Sequence, residues 1–566
     1  MKSNYLNKRG FLSIISEDEY NDDGDVVGTK IKYWLIKRYT RNKFSSRQQE
    51  DLNGVVVGID EASLADNVLN GEYESLFLDD GDYSSPFLIS ALVKNGVDVV
   101  LNSEEVSAGA LSETENKIYS AFSESGNFLF GLFSTNNSAN CMIANFDMLL
   151  NEKVESVSNL IDKNITDYVA DDAKTIWKNL EDRTDVMITI SHILQKKKDT
   201  KLTASANSFA ELVRFSGGKD KWREFNPLLE NSETYFVHQA FFGGFNYLRK
   251  EFKGRIIKQP VQVFDVNSMF PNVMANERLP VGEGKWFDGK PLDFKGIYVV
   301  RVIITGEIKK NRLPFIRNTK VKSIGYMERF TNMSITLSSV DLDLLFEQYY
   351  IKKIEFVGGF SYHSKVGVYR DFVKKLYSEK EKANENGNVL QRTISKKKIN
   401  ASFGKLGQKP ERKSKGIHFK ENGDIYYDWN DVDIVESNYM PAAVFISAYA
   451  RVRVIRTAQK NYTNFIYSDT DSMHLLLTDK KLTFKIDQQK LGYWKREAIY
   501  NQARFIGNKT YMEVSDDKNI IKASGITLDQ NIDIIDFEPG REFIGGRNKA
   551  LINGGAIHVP KRYTLH

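Results

Sequence analysis

Cysteine is nearly missing from this sequence. One residue, Cys141, stands among 566. A disulfide framework and a cysteine-based zinc site are therefore excluded within the chain, and a reducing, intracellular setting fits. Long apolar runs are missing too, since none approaches the ~20 residues needed to span a bilayer. The opening MKSNYLNKRGFLSIISEDEY has too short an apolar stretch for a secretory signal and turns acidic at once. The expectation is a cytoplasmic protein with no membrane partner. No repeat period and no long low-complexity tract occurs. A dominant charge is also lacking: a net charge of +5 and a pI near 8.7 permit a polyanionic partner without requiring one.

What is present has globular composition, 41% hydrophobic and 27% charged. A chain of 566 residues exceeds what one core serves, so several domains are expected. Residues 1–190 mix short apolar runs (VVVGI, SLFL, NFLFGLF, CMIANF) with helical patterns (PFLISALVKNG, DDAKTIWKNL), as an α/β domain would. A polar, lysine-rich joint, QKKKDTKLTASANS, begins at Gln195. Farther on, VQVFDVNSMFPNVM reads as a strand, a turn and a helix. SVDLDLLFEQYY reads as a helix, and VYRDFVKKLYSEKEKANENGNVLQRTISKKKINASFG as another, broken near NENGN. Residues 396–420 hold nine Lys or Arg against one Glu. They form either a solvated helix face or a phosphate-binding surface.

Two aspartates one residue apart, Asp469 and Asp471 in YSDTDS, follow an apolar β-type run. The plain explanation is a tight turn. The other is a divalent metal site at a hairpin tip, with one Asp binding metal and the other orienting the site. VQVFDVNSMFP supplies a further acid, Asp265, at the end of a second β-type run. Mg²⁺ takes oxygen ligands and usually shares one or two carboxylates with substrate phosphates. Two such ions can activate an attacking oxygen and stabilise a leaving one.

In chain order stand DVNSMFP from Asp265, then Lys396 with Asn400-Ala401-Ser402-Phe403-Gly404, then YSDTDS. This order resembles the three polymerase motifs of family B DNA polymerases, D-x-x-S-L-Y-P, K-x3-N-S-x-Y-G and Y-x-D-T-D-S. AFFGGF (240–245) resembles the family's Y-x-G-G motif, with Phe241, Gly243 and Gly244. SAYAR, with Arg451, resembles T-x-x-G-R. KLGYW and NKTYMEV, with Lys490, Lys509 and Tyr511, are similar to segments that hold the primer strand. The protein-primed subgroup, compact replicases of small tailed phages with linear genomes, fits best. Its two insertions have counterparts at 315–360 and 407–445.

The resemblance implies an α/β and α+β multidomain fold. An RNase H-like exonuclease-type domain would occupy 1–190, and a linker with the start of the palm 191–260. The palm would fill 261–300 and 441–485, the first insertion 301–360, the fingers 361–406, the second insertion 407–440 and the thumb 486–566. It implies protein-primed, strand-displacing DNA synthesis on DNA template and primer, with dNTPs and two Mg²⁺, or Mn²⁺ in their place. The protein would be a monomer or a heterodimer with its terminal protein, acting in the host cytoplasm if phage-encoded. The first insertion would dock terminal protein and DNA; the second would encircle the template.

By the same resemblance Asp265, the Val266 carbonyl and Asp471 bind metal, and Asp469 places the primer end. Lys396 and Lys380 hold triphosphate. Phe270 and Phe403, each replacing a family Tyr, line the nucleotide pocket with Asn400. Phe241, Gly243, Gly244, Ser268, Arg451, Lys490, Lys509 and Tyr511 contact primer or template.

The exonuclease motifs look degraded. Tyr168 and Asp172 keep the last of them. Ser84 stands where the middle motif has its metal Asp, Asp80 where it has Asn, and Glu17-x-Glu19 replaces an early Asp-x-Glu. Loss of 3′→5′ exonuclease is expected unless Asp79, Asp80 or Asp82 serves instead. Two other readings stand beside protein priming: a family B polymerase that only extends primers, and a catalytically silent DNA-binding replication scaffold.

Overall fold

Phe11, Leu12, Ser13 and Ile14 are successive buried residues, so the strand that carries them is covered on both faces. It is β1 (Lys8–Tyr20), followed by β2 (Val26–Arg41), β3 (Glu50–Gly58), α1 (Glu61–Leu69), β4 (Ser75–Leu78) and β5 (Asp98–Val100). Then come β6 (Lys117–Phe122), β7 (Phe128–Phe133), β8 (Cys141–Asn145), α2 (Val154–Ser158) and α3 (Ala173–Lys196). The strands run β6-β7-β8-β4-β1-β2-β3, with β5 beside β6. Leu64 and Val68 of α1 pack with Leu12 and Ile14. Val186 and Ile190 of α3 pack with Phe11 and Phe77. The structure is a computed structural model. It describes 204–317, 325–408, 438–516 and 532–550 without a break. It also describes 411–412, 415–419, 425–429, 433–434, 519–523, 556–565 and, before residue 204, the elements just named with adjoining residues 59–60, 70, 73, 79, 88, 91–92, 146–150 and 161.

The next stretch holds α4 (Ala204–Phe215), α5 (Lys219–Phe225), α6 (Asn231–His238), β9 (Phe245–Leu248), β10 (Ile256–Ile257), β11 (Val261–Val266) and α7 (Met269–Asn276). A four-stranded antiparallel sheet follows, made of β12 (Arg278–Asp288), β13 (Ile297–Ile308), β14 (Arg329–Ser338) and β15 (Tyr349–Val366), with α8 (Ser339–Gln348) between the last two.

Helices α9 (Arg370–Glu385) and α10 (Val389–Leu406) are antiparallel neighbours separated at NENGN. Gly387 adopts φ 65°. There the Asn388 N–H donates to Ala383 O and the Gly387 N–H to Asn384 O, a Schellman stop. The Asn388 side chain then accepts from Gln391 N–H and starts α10. After α10 come β16 (Glu411–Arg412), β17 (Lys415–Phe419), β18 (Ile425–Trp429) and β19 (Asp433–Ile434). The β17–β18 hairpin joins the N-terminal sheet at β6.

α11 (Met440–Lys460) is buried on nearly every side over its first half and runs through the largest core. β20 (Phe465–Thr470) and β21 (Ser472–Leu476) form the YSDTDS hairpin, and β22 (Trp494–Tyr500) completes the sheet β22-β11-β21-β20-β9. β23 (Gln502–Gly507), β24 (Thr510–Val514) and β25 (Asn519–Lys522) form a four-stranded sheet in the order β10-β23-β24-β25. β26 (Glu542–Ala550) and β27 (Ala556–Thr564) form a final hairpin.

Several expected boundaries cut through elements and are corrected. Position 190 lies inside α3, which runs to Lys196 because its apolar stripe continues to Leu194. Within 191–260, expected as linker and start of the palm, residues from 204 pack into the large core: Leu212, Trp222 and Phe236 belong to it, and Trp222 stacks on Tyr369. The sheet assigned to the first insertion starts at Arg278, and 300 and 360 fall within β13 and β15. β22 pairs with β11, so the central sheet extends past 485 to Tyr500. The helix expected over SVDLDLLFEQYY stops at Gln348, and its two tyrosines begin β15.

Arg451 is also corrected. It was expected on primer or template, yet it is almost wholly buried on α11. Its guanidinium donates to Asp341 Oδ1 at 2.6 and 3.2 Å and to the carbonyls of Phe242 and Gly243. Asp341 is fully buried and bonded to its helix cap, Ser338. Arg451 thus fixes the FFGG loop from within. Breaking such a buried pair costs about 3–5 kcal/mol. Arg451→Ala should therefore lower the melting temperature of the main cooperative transition in thermal denaturation, and an unchanged melt would refute the pair's importance.

Candidate active site

The alternation of β11 buries Phe264 and Val266 and leaves Asp265 facing the other way, at the strand's end. In the β11–β21 ladder Asp265 lies opposite Ser472. Asp471 is therefore its neighbour at the turn of the β20–β21 hairpin. Thr470 takes a left-handed φ of 63°, the Asp471 N–H donates to Asp469 O at 2.8 Å, and the Val266 N–H donates to Asp471 O at 3.0 Å. These bonds turn Asp471 towards Asp265 and direct Asp469 elsewhere. The close approach at this tip demands a glycine: a Cβ on Gly244 would lie 2.7 Å from Thr470 Cγ2 and 2.9 Å from its Cα.

Asp265 and Asp471 open into one cavity of about 540 Å³. Its opposite wall is α9 and α10, which contribute Lys380, Arg392, Lys396, Asn400 and Phe403. Phe270 from α7 stacks on Phe403, with centroids 4.5 Å apart and planes 12° from parallel. Such a pair contributes about 0.5–1.5 kcal/mol beyond burial. Ser268, just before α7, is left-handed at φ 49° and also lines the cavity.

Electrostatics divide the cavity. Burial, then the facing Asp471 and Glu497, push the Asp265 carboxyl up to about 7. Burial also raises Asp471. On the other wall, burial and then the neighbouring Lys396 and Arg392 lower Lys380. One side calls for cations and the other for anions. The donors on the first side are carboxylate oxygens, which suit a hard divalent ion. Among the described residues no group of three or more His, Cys, Asp or Glu could hold a metal alone. An ion held by these two carboxylates would complete its shell with water or substrate oxygens, as Mg²⁺ sites shared with phosphates do.

Asp469 lies behind the cavity. Its Oδ1 meets Lys509 Nζ at 3.3 Å and accepts from Asn246 Nδ2 at 3.4 Å. Lys509 is itself left-handed at φ 59°, and its N–H donates to the Tyr467 hydroxyl. Tyr511 packs in the ring cluster of Tyr467, His474 and Phe505. Phe241 lies 6.3 Å from Phe403, so the FFGG loop abuts the stacked pair. Lys490 lies on the exposed loop before β22, with its ammonium 4.5 Å from the Tyr493 ring.

The structure thus gathers Asp265, Val266, Ser268, Phe270, Lys380, Lys396, Asn400, Phe403 and Asp471 around one space. Tyr168, Asp172, Asp80, Asp82 and Ser84 lie outside the described residues. Asp79 is described: it is buried, ion-paired with the buried Arg183 and bonded by Ser13 Oγ. Sequence reasoning missed Arg392, Lys495 and Glu497, all of which line the cavity. Arg392 sits one helical turn before Lys396, a spacing that puts both on one face. Lys495 and Glu497 are two apart on β22, directly after KLGYW, and are ion-paired at 2.9 Å.

Comparison with known proteins gives a consistent picture. The family described as DNA polymerase type B, organellar and viral, matches residues 117–488. The DNA polymerase of Bacillus phage phi29 is 30% identical over 415 residues, covering 68% of this chain and 71% of that protein. The DNA polymerase of Bacillus phage Nf is 28% identical over 395 residues, covering 62% and 68%. A solved structure of phi29 DNA polymerase with primer-template DNA and incoming nucleotide covers 99% of this chain and 100% of that one, with a TM-score of 0.86 at 21% identity.

The like-charged pair predicts a pH effect in metal-free protein. The fold holds the Asp265 proton up to about pH 7, whereas the ordinary value is 3.8. Between those values the native state binds the extra proton, so stability falls as pH rises from about 4 to 7. With a chelator present, the melting temperature should drop over that range, and Asp265→Asn should flatten the drop. Added Mg²⁺ should stabilise the wild type more at pH 7.5 than at pH 5. A pH-independent difference between the two proteins would refute the account.

Proposed function

The chain belongs to the type B DNA polymerases of organelles and viruses, and we propose that within this family it replicates a linear genome by protein priming and strand displacement, without 3′→5′ exonuclease. One observation carries the polymerase mechanism: the carboxylates of Asp265 and Asp471 face Lys380, Arg392 and Lys396 across a single cavity floored by two stacked rings. In the reaction the primer 3′-oxygen attacks the α-phosphorus, the α–β bridging bond breaks and pyrophosphate leaves. Two bound Mg²⁺ would supply activation of the attacking oxygen and stabilisation of the leaving one.

Asp265, the Val266 carbonyl and Asp471 would hold these ions together with the substrate's own oxygens. Lys380, Arg392 and Lys396 bind the triphosphate by charge-assisted hydrogen bonds. Phe270 presents a ring edge where a ribose 2′-hydroxyl would sit, and its loss of the family's hydroxyl removes only a hydrogen bond. Asp469 and Lys509 place the primer end. Lys490, Tyr511, Phe241 and the Gly243–Gly244 loop guide primer and template through contacts that position without reading sequence.

The four-stranded sheet of 278–366 serves as the first insertion, docking the terminal protein as a heterodimer partner in the host cytoplasm. The β17–β18 hairpin serves as the second insertion. Its pairing with β6 supports an arm that reaches the N-terminal domain and surrounds the template. Loss of exonuclease is supported by Asp79, whose carboxylate is already bonded to Arg183 and Ser13 inside the sheet.

A primed single-stranded circle with dNTPs and Mg²⁺ tests the polymerase reading. Products longer than one circle are expected from the wild type, and none from Asp265→Ala or Asp471→Ala. Extension that stops at one circle would leave a primer-extending enzyme without strand displacement, and no extension would leave a silent scaffold. A 3′-labelled single strand should stay intact with Mg²⁺. Its degradation, abolished by Asp172→Ala, would overturn exonuclease loss.

A further inference from the structure

β9 is the edge strand of the central sheet, so its outward N–H groups have no strand to bond. One of them, on Asn246, is taken by a side chain from the first insertion: it donates to the Tyr326 hydroxyl at 3.1 Å. The same hydroxyl accepts from Arg317 Nη2 at 2.6 Å, and that nitrogen also donates to Gly244 O at 3.3 Å. Arg317 lies over the Tyr326 ring at 4.7 Å, and a backbone bridge joins the two residues. The rings of Phe245 and Tyr247 flank Tyr326 at 5.4 and 5.8 Å. This clamp on the edge strand is built from two residues about nine apart in sequence, both in the first insertion.

Asn246 faces the catalytic hairpin on its other side. It pairs with Asp469 in the β9–β20 ladder. Its side chain is buried, donates to Asp469 Oδ1 and accepts from the Tyr467 hydroxyl at 3.0 Å. Gly244, held through its carbonyl by Arg317, is the residue on which Thr470 rests. The clamp and the hairpin thus share Gly244 and Asn246.

We propose that Tyr326, oriented by Arg317, is a positioning residue for nucleotidyl transfer: Tyr326 through Asn246, and Arg317 through Gly244, fix the hairpin that carries Asp469 and Asp471. The first insertion then sets the geometry of the site as well as any docking it performs. The inference rests on Asp469 placing the primer end. It does not require protein priming, so a DNA primer suffices to test it. Misplacement of a reacting group by a fraction of an ångström slows chemistry without weakening nucleotide binding. An edge N–H that loses its partner is rehydrated, so the fold is little disturbed.

The test is single-turnover extension of a DNA primer with Mg²⁺ at varied dNTP. Tyr326→Phe should lower the maximal rate about tenfold. The half-saturating dNTP concentration should stay within about twofold, and the melting temperature within about 1 °C. Arg317→Gln should act in the same direction, and the double variant should lose less than the two single losses combined, because both residues act through the Tyr326 hydroxyl while Arg317 also holds Gly244 O. Tyr350→Phe, an exposed tyrosine on β15, should be neutral. An unchanged rate in Tyr326→Phe, or additive losses in the double variant, would overturn the proposal. So would a slower rate matched by a lower melting temperature. Asp469→Asn is measured alongside. If it extends normally, the reading of Asp469 fails; if it is inactive while Tyr326→Phe is normal, only the clamp fails.

Discussion

Two largely buried carboxylates that face each other set the terms for the rest of this molecule. Asp265 and Asp471 are brought together by the β11–β21 ladder and the hairpin turn, and both lie largely out of water. Buried like charges are tolerated only when cations come with the ligand or are built in nearby. The cavity leaves the first option open on one wall and uses the second on the other, where α9 and α10 supply three cationic side chains. A triphosphate accompanied by divalent ions satisfies both walls at once. Neither component alone would do so, so on the proposed reading metal and nucleotide binding would be coupled.

Holding that pair requires backbone that most residues avoid. Ser268, Thr470 and Lys509 are three of the five non-glycine residues with positive φ among the described residues, and all three border the site. Such conformations cost of the order of 1 kcal/mol or more each and persist where the surroundings over-determine them. Here the surroundings can be named. Val266 N–H holds Asp471, Tyr467 hydroxyl holds Lys509, and Gly244 leaves room for Thr470. Arg451 bonds the carbonyls just before Gly244 and is fixed by Asp341 at the start of α8. The strain of the tip is thus carried back into the largest core.

Much of this was legible in the sequence, and what was not has a physical cause. The strand-turn-helix of VQVFDVNSMFP, the break at NENGN and the YSDTDS hairpin follow from alternation and from turn residues with fixed backbone demands. The cavity residues in the three ordered motifs were picked out by their resemblance to the family's motifs, which local periodicity alone does not supply. Domain edges were misplaced because sheets are non-local: no pattern within 486–500 says that β22 pairs with β11. Arg451 was misassigned because an arginine in a helix looks the same whether it faces DNA or a buried Asp341 about 110 residues away. Asn246 and Tyr326 carry no motif at all. Their meaning lies in an edge strand that exists only once the central sheet is assembled.

The N-terminal sheet meets the same electrostatic problem with a different solution. Asp79 is as buried as a carboxylate can be, and it stands at the end of β4 next to β1, a place comparable to that of Asp265 beside the β20–β21 hairpin. Its counter-charge is the guanidinium of Arg183, itself buried on α3, and Ser13 adds a hydrogen bond. A guanidinium stays charged at any accessible pH and cannot leave. Asp265 and Asp471 open into a cavity with no cationic side chain bonded to them among the described residues, whereas Asp79 has its counter-charge built in. A carboxylate neutralised from within is committed to the fold, and one that faces a cavity is left to take a cation from outside.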